Sequence, residues 1–290
     1  MGKQQIWIPG CSGMLGSQII ECLKDSQYEI FATDRDLDIT DGDVITSFLS
    51  DKKLSWIINC AAYTAVDKAE TDQESSFAVN ALGPKNLARV ATKIGAKLIH
   101  FSTDYVFDGK LDRPYVESDS PAPVSVYGRS KLAGEDRIKD FSTKYFIFRI
   151  SWLYGQNGAN FVKTIVRLLA EKDELRVVSD QIGSPTWAKQ LSMNISDLIG
   201  RNSTGFGTYH YSDLGDISWY EFALAIKEFA LSHKLLEKDT PVIAIPTSEF
   251  PRPAVRPLNS RFNKKLIVEE LNFKVNPWKE NLEQFFKEWG

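Results

Sequence analysis

The chain has 290 residues, 43% hydrophobic and 25% charged, an ordinary globular composition that excludes wholesale disorder. Thirty-five basic residues against 38 acidic ones leave a net charge of −3, so no broad basic field points to nucleic acid. The longest apolar run, Phe222 to Ile226, is far short of the roughly 20 residues of a membrane-spanning helix.

Met1-Gly2-Lys3-Gln4-Gln5 carries no apolar export signal. Cys11, Cys22 and Cys60 are odd in number and lack CxxC spacing, which argues against a disulfide or zinc framework and predicts a reducing cytoplasm. The three histidines are scattered, so no metal site is expected from them.

Gln5 to Pro9 is a short apolar run that predicts a strand. Gly10-Cys11-Ser12-Gly13-Met14-Leu15-Gly16 follows with GxxGxxG spacing, and Ser12 to Lys24 sets Leu15, Ile19, Ile20 and Leu23 on one helical face. Such glycines serve a tight turn, close backbone approach to a pyrophosphate and tight helix–strand packing, while the helix N-terminus favours an anion. An unliganded turn would look similar. Its place between the first strand and first helix of an alternating chain favours a dinucleotide. Tyr28 to Thr33 is a second strand, and Asp34 follows it, 18 residues beyond Gly16. A carboxylate there suits a ribose 2′-OH and NADH; Arg35 beside it suits a 2′-phosphate and NADPH, so both cofactors stay open.

Val44 to Leu49 predicts a helix, Trp56 to Cys60 a strand, Glu74 to Ile94 a long helix and Leu98 to Ser102 a strand. Ser130 to Lys139 then reads as helix and Tyr145 to Ile150 as strand. Short, nearly all-apolar strands alternating with helices predict an α/β fold, a Rossmann-type doubly wound parallel sheet. His100, inside the apolar strand, reads as a hydrogen-bonded sheet residue. Ser102-Thr103 ends the fourth strand, at the carboxyl edge where open α/β sheets bind ligands. Tyr127 and Lys131 are four apart at the start of a helix and share a face. A phenol titrates near 10, and a neighbouring ammonium is expected to lower that value, so the pair can move a proton to or from a substrate oxygen. Thr103 can hold a carbonyl oxygen beside it, or merely cap the strand.

Past residue 150, Phe161 to Ala170 and Ser218 to Leu231 predict helices, and Leu175 to Val178, Thr208 to Tyr211 and Val242 to Ile245 short strands. Pro246 to Pro257 holds four prolines and is either a linker or an ordered loop over a site. The expected organisation is a dinucleotide-binding domain over 1–150 and a smaller, mainly substrate-binding α/β part over 151–290, with some crossing of the chain back to the first.

Several strings together carry a family resemblance. GxxGxxG, Asn59-Cys60-Ala61-Ala62, Ser102-Thr103 and YxxxK resemble the extended short-chain dehydrogenase/reductase superfamily. The runs 65–70 (AVDKAE), 102–109 (STDYVFDG), 127–135 (YGRSKLAGE), 148–155 (FRISWLYG), 160–164, 180–186 and 256–261 are similar to the dTDP-4-dehydrorhamnose reductase family across nearly the whole chain. The resemblance implies NADPH- or NADH-dependent reduction of the C4 ketone of dTDP-4-dehydro-L-rhamnose to dTDP-L-rhamnose. It implies Tyr127 as proton donor, Lys131 lowering the tyrosine pKa and holding the nicotinamide ribose, and Thr103 bonding the ketone. It puts Gly10, Ser12, Gly13, Met14, Leu15 and Gly16 at the pyrophosphate. Asp34 and Arg35 fall at the ribose, Asp38 and Ile39 at the adenine, and Ala61, Ala62, Tyr63, Thr64 and Phe101 along the middle of the dinucleotide. Asp104, Trp152 and Arg256, with Thr103 and Tyr127, are implied for the dTDP-sugar, Arg256 at the diphosphate. Asp67, Lys68 and Glu70 fit a structural ion-pair role or a site wall equally. Some family members are magnesium-linked dimers; Gln18 and Lys189 stand where the acidic ligands would be sought, so the expectation is a monomer or homodimer without a metal. The alternatives are an NADP-binding regulatory subunit without catalysis, against which Thr103, Tyr127 and Lys131 argue, and another nucleotide-sugar enzyme. Among these a dehydratase would want an Asp-Glu pair that Asp104-Tyr105 does not supply.

Overall fold

A computed structural model describes residues 3–24 and 27–289; Met1 and Gly2 of the N-terminal stretch, and Gly290, lie outside the described residues. The first half runs β1 (Gln4–Pro9), α1 (Met14–Leu23), β2 (Tyr28–Thr33), α2 (Gly42–Phe48), β3 (Leu54–Asn59), α3 (Val66–Ala69), α4 (Gln73–Phe77), α5 (Gly83–Ile94), β4 (Lys97–Thr103), α6 (Val126–Phe141) and β5 (Tyr145–Ile150). The second half adds β6 (Leu153–Tyr154), α7 (Phe161–Glu171), β7 (Leu175–Val178), β8 (Ile182–Gly183), β9 (Thr186–Trp187), α8 (Ala188–Gly200), β10 (Gly207–Tyr211), β11 (Ile217–Ser218), α9 (Trp219–Ser232), β12 (Val242–Ile245), α10 (Lys265–Leu271) and α11 (Trp278–Lys287). No described helix is long and apolar enough to cross a membrane.

Six strands form one sheet in the order β2-β1-β3-β4-β5-β10, every pair parallel. The order reverses between β1 and β3, which opens a crevice beyond their carboxyl ends, the place where a doubly wound sheet takes a ligand. Side-chain alternation splits the core. Ile6, Ile8, Trp56, Ile58, Ile99 and Phe101 pack with Leu15 and Ile19 of α1 and Leu191 and Ile195 of α8. Trp7, Ile57, Leu98 and Ile147 pack on the other face with Ile45, Leu87, Ala91 and Ile138. α8 with β10, and later α10, come from beyond residue 150, so the chain returns twice to the first layers. A separate cluster joins Val162 and Leu169 of α7, Phe222 and Ile226 of α9, and Leu282 and Phe285 of α11.

The helix expected over 74–94 is not continuous. A wider, π-type turn at 78–82 separates α4 from α5, whose first turn contains Pro84, a residue with no N–H to donate. The widening turns Asn80 inward, where its Oδ1 accepts from Tyr63 N at 2.9 Å and its Nδ2 donates to Tyr63 O at 3.0 Å and Ser130 Oγ at 3.0 Å. Helix α6 begins at Val126 because Ser125 caps it, its Oγ accepting from Gly128 N at 3.1 Å. The proline-rich stretch is an ordered loop. Asp180 accepts from Thr247 N at 2.9 Å, Ala254 is buried, and Arg256 is held by Asp67.

Candidate active site

The glycine loop sits where the sheet order reverses. Gly10 has φ +78°, and a Cβ there would lie 2.4 Å from Ala61 N and 2.6 Å from Cys60 C, so the loops after β1 and β3 touch backbone to backbone. At Gly16 a Cβ would fall 2.3 Å from Gly10 O, which fixes α1 close against the loop. Gly13 leads into α1 without a side-chain cap, leaving the first-turn N–H groups open to an anion. These features fit a dinucleotide pyrophosphate: a cradle that a side chain would fill and a helix end that favours negative charge. Ser12 donates its N–H, at 3.0 Å, and its hydroxyl to Asp34 Oδ2, tying the loop to the end of β2 and holding the Asp34 carboxyl below the usual range. Arg35 and Asp38 beside it are exposed. Ile39 is buried against α5, where a Cβ on Gly83 would collide with its side chain, so that side chain is spent in the core.

The loop after β3 is braced from both ends. Asn59 Oδ1 accepts from Ala61 N at 3.1 Å while its amide meets His100 Nδ1 at 3.0 Å, and Asn80 holds Tyr63. Ala61, Ala62 and Tyr63 are half-buried and Thr64 is exposed along this edge of the crevice.

Across the crevice stand the residues of β4 and α6. Thr103 closes β4, and its Oγ1 accepts from Tyr105 N at 3.2 Å and donates to Asp104 Oδ1 at 2.9 Å. Tyr127, in the first turn of α6, stands beside Thr103 and meets the Tyr105 ring edge-on at 5.5 Å. Lys131, one turn on, is buried and donates to Phe101 O at 2.6 Å. Thus the three residues expected to act together do converge at the carboxyl edge of β4.

The electrostatics differ from expectation at one point. Burial and the Asp104 carboxylate push the Tyr127 phenol above the ordinary tyrosine value, and Lys131 does not bring it down. The ammonium is turned to the Phe101 carbonyl, and burial lowers its own pKa to about 8. Asp104 is also placed differently from the expected sugar contact. It is buried, with Oδ1 on Thr103 and Oδ2 accepting from Ser260 Oγ at 2.5 Å, and burial raises its pKa to about 6.

Trp152 has φ +49° and stacks on Trp219 at 3.6 Å, half-exposed beside Gly183. Arg256 makes a two-pronged pair with Asp67, Nη1–Oδ1 2.5 Å and Nη2–Oδ2 2.9 Å, so the proline-rich loop is clasped to α3. That pair lies next to Tyr105, which feels both charges. Glu70 accepts from Val126 N at 2.8 Å, while Lys68 pairs with Asp72 at 3.4 Å. Lys189 pairs with Glu288 at 2.6 Å.

Sequence reading missed Asn80, Ser125, Tyr105 and Ser260. Only Ser125, a capping residue just ahead of a helical run, carried a local signal. It also left Ser102 unassigned between site and structure; the serine points away from the crevice and donates to Glu135 Oε1 at 2.6 Å.

The fold and this cluster define a dinucleotide-fold enzyme class, a doubly wound sheet with Thr, Tyr and Lys at the crevice. The family model for the RmlD substrate binding domain matches residues 4–290. A dTDP-4-dehydrorhamnose reductase of Aggregatibacter actinomycetemcomitans is 38% identical over 284 residues, 96% of this chain and 97% of the relative. The crystal structure of a dTDP-4-dehydrorhamnose reductase from Bacillus anthracis in complex with NADP superimposes with TM-score 0.92 and 42% identity, covering 99% of each chain. A UDP-glucose 4-epimerase of Thermus thermophilus, solved with NAD, shares the fold at TM-score 0.81 and 19% identity. The chain belongs to the dTDP-4-dehydrorhamnose reductase family of oxidoreductases.

Proposed function

We propose that this chain reduces the C4 ketone of dTDP-4-dehydro-L-rhamnose with NADPH, and that Tyr127 gives the proton. The observation that carries this reading is the convergence of Thr103, Tyr127 and Lys131 beside the crevice above the glycine loop. Family membership supplies the substrate class. The NADP held by the Bacillus anthracis relative, with exposed Arg35 next to Asp34, favours NADPH over NADH.

Gly10, Ser12, Gly13, Met14, Leu15 and Gly16 would hold the pyrophosphate, Asp34 and Arg35 the adenosine ribose, and the 61–64 loop the middle of the dinucleotide. Bound nicotinamide supplies the hydride that C4 receives. Thr103 bonds O4 of the sugar and orients it toward Tyr127. As C4 is reduced, the Tyr127 phenol passes its proton to O4. The phenol carries its proton at neutral pH, and burial beside Asp104 makes it a weaker acid than free tyrosine, so the transfer is driven by the greater basicity of the alkoxide formed at C4. Lys131, buried and bonded to the Phe101 carbonyl, would offer its remaining N–H donors to the ribose hydroxyls. Arg256 and Trp152 would face the sugar nucleotide, the guanidinium donors left over by Asp67 and Ala254 toward the diphosphate.

The test follows absorbance at 340 nm with NADPH or NADH and a panel of nucleotide ketosugars. Tyr127→Phe keeps the ring against Tyr105 and removes the donor, so kcat falls about 10²- to 10⁴-fold while NADPH affinity holds. Wild-type turnover from that variant removes Tyr127 from the chemistry. An absence of turnover of dTDP-4-dehydro-L-rhamnose by the parent chain refutes the substrate assignment.

A further inference from the structure

Directly beneath the catalytic level lies a rank of buried polar residues that the reaction does not use. Ser102 on β4 is in register with Arg149 on β5, and Arg149 with His210 on β10. All three are at most 3% exposed, and they converge on Glu135 of α6, which is 0% exposed. Glu135 Oε1 accepts from Ser102 Oγ at 2.6 Å and Arg149 Nε at 2.9 Å. Its Oε2 accepts from Arg149 Nη2 at 2.7 Å and pairs with Lys139 at 3.4 Å. Arg149 Nη1 reaches His210 Nε2 at 3.4 Å, and its guanidinium lies over the Phe107 ring. A buried ion pair seldom adds stability over apolar side chains of the same volume, so its retention calls for another reason.

The geometry supplies one. Lys131 and Glu135 are one turn apart on the same face of α6. They grip consecutive residues of β4, Lys131 the Phe101 carbonyl and Glu135 the Ser102 hydroxyl. The grip fixes how far α6 slides along β4, and therefore where the Lys131 ammonium stands. Glu135 also presents a carboxylate that opposes the effect of burial on that ammonium. We propose that Glu135 is the positioning residue for Lys131, locking α6 to the sheet through Ser102 and Arg149 and supplying the buried negative charge opposite the ammonium. The inference rests on the functional reading above, in which Lys131 serves the cofactor.

The groups facing Lys131 are Glu135 from its own helix, Cys60 just past β3 and His100 from β4. Glu135 in turn faces Arg149 and Tyr145 of β5, His210 of β10, and Lys139 and Asp136 of α6. Cys60 and His100 are both held neutral by burial, so Glu135 is the negative partner.

The decisive variant is Glu135→Gln with Arg149→Met, which removes both charges and leaves neither alone in the interior. Lysine labelled with carbon-13 at Cε gives a resonance for Lys131, assigned by its loss in Lys131→Met. The expected result is a titration midpoint about one pH unit lower in the double variant than in the parent, and a basic limb of kcat displaced the same way. An unmoved Lys131 midpoint in a folded double variant overturns the inference, even if activity drops. Should that variant not fold, Ser102→Ala removes a single hydrogen bond to Glu135. It must then raise the Michaelis constant for NADPH severalfold, and an unchanged constant overturns the grip. The NMR titration needs no substrate, so a parent chain that fails to turn over dTDP-4-dehydro-L-rhamnose refutes the functional reading while the lysine midpoint still judges Glu135.

Discussion

Replacing Gly10 with alanine tests the crevice more sharply than any catalytic substitution, because the molecule contains its own control. Gly10 and Gly95 share a positive φ, +78° and +76°. A Cβ at Gly95 meets nothing within 4 Å, whereas at Gly10 it meets Ala61 N at 2.4 Å. In both variants left-handed strain costs about 1 kcal/mol, partly offset by the lower entropy of the unfolded chain. Gly95→Ala therefore stays within about 1 kcal/mol of the parent. Gly10→Ala must in addition part the loops after β1 and β3, an overpacking cost of about 1–3 kcal/mol. Those loops form the crevice walls, so NADPH affinity falls at least ~10-fold, about 1.4 kcal/mol. Urea denaturation gives the two stabilities and fluorescence titration the affinities. Equal stabilities for the two variants, or a Gly10→Ala protein that binds NADPH as the parent does, would refute the close approach as the basis of the site.

With Asp34 at the adenosine ribose as proposed, Asp34→Ala is expected to weaken NADH binding more than NADPH binding; equal losses in paired titrations would place the carboxylate elsewhere. Arg256→Ala frees Asp67 and removes the guanidinium proposed for the diphosphate, and the Michaelis constant for the dTDP-sugar is expected to rise about 10-fold with NADPH affinity unchanged. Asp213 is buried, and burial raises its pKa to about 7. Its folded pKa exceeds the unfolded one, so the protonated form stabilises the fold below pH 4 and that contribution is lost as pH rises through about 7. Asp213→Asn is accordingly more stable than the parent at pH 8, by on the order of 2 kcal/mol, and indistinguishable near pH 4; denaturation at the two pH values decides it.

The order of strand and helix in the first half was legible because it depends on local pattern. Runs such as Ile6 to Ile8 and Trp56 to Ile58 are apolar on both faces, as a strand covered by helices on both sides must be. The glycine spacing and the Tyr127–Lys131 interval were legible for the same reason, since each lies within one turn or one loop. What the sequence could not disclose is anything set by residues distant along the chain. The π-type turn that aims Asn80 at Tyr63 depends on how α5 packs, and Ser260 meets Asp104 across 156 positions.

By itself, then, the order of residues determined which side chains would be available at the carboxyl edge: a hydroxyl, a phenol and an amine after an apolar strand and a helix start. Tertiary structure decided their charges. Whether an ammonium lowers a phenol's pKa depends on distance and on which other groups share the same buried space, and folding turns Lys131 to a carbonyl while leaving Tyr127 beside the Asp104 carboxylate. Electrostatic energy in a low-dielectric interior falls with separation in space, not along the chain, so only packing could assign it.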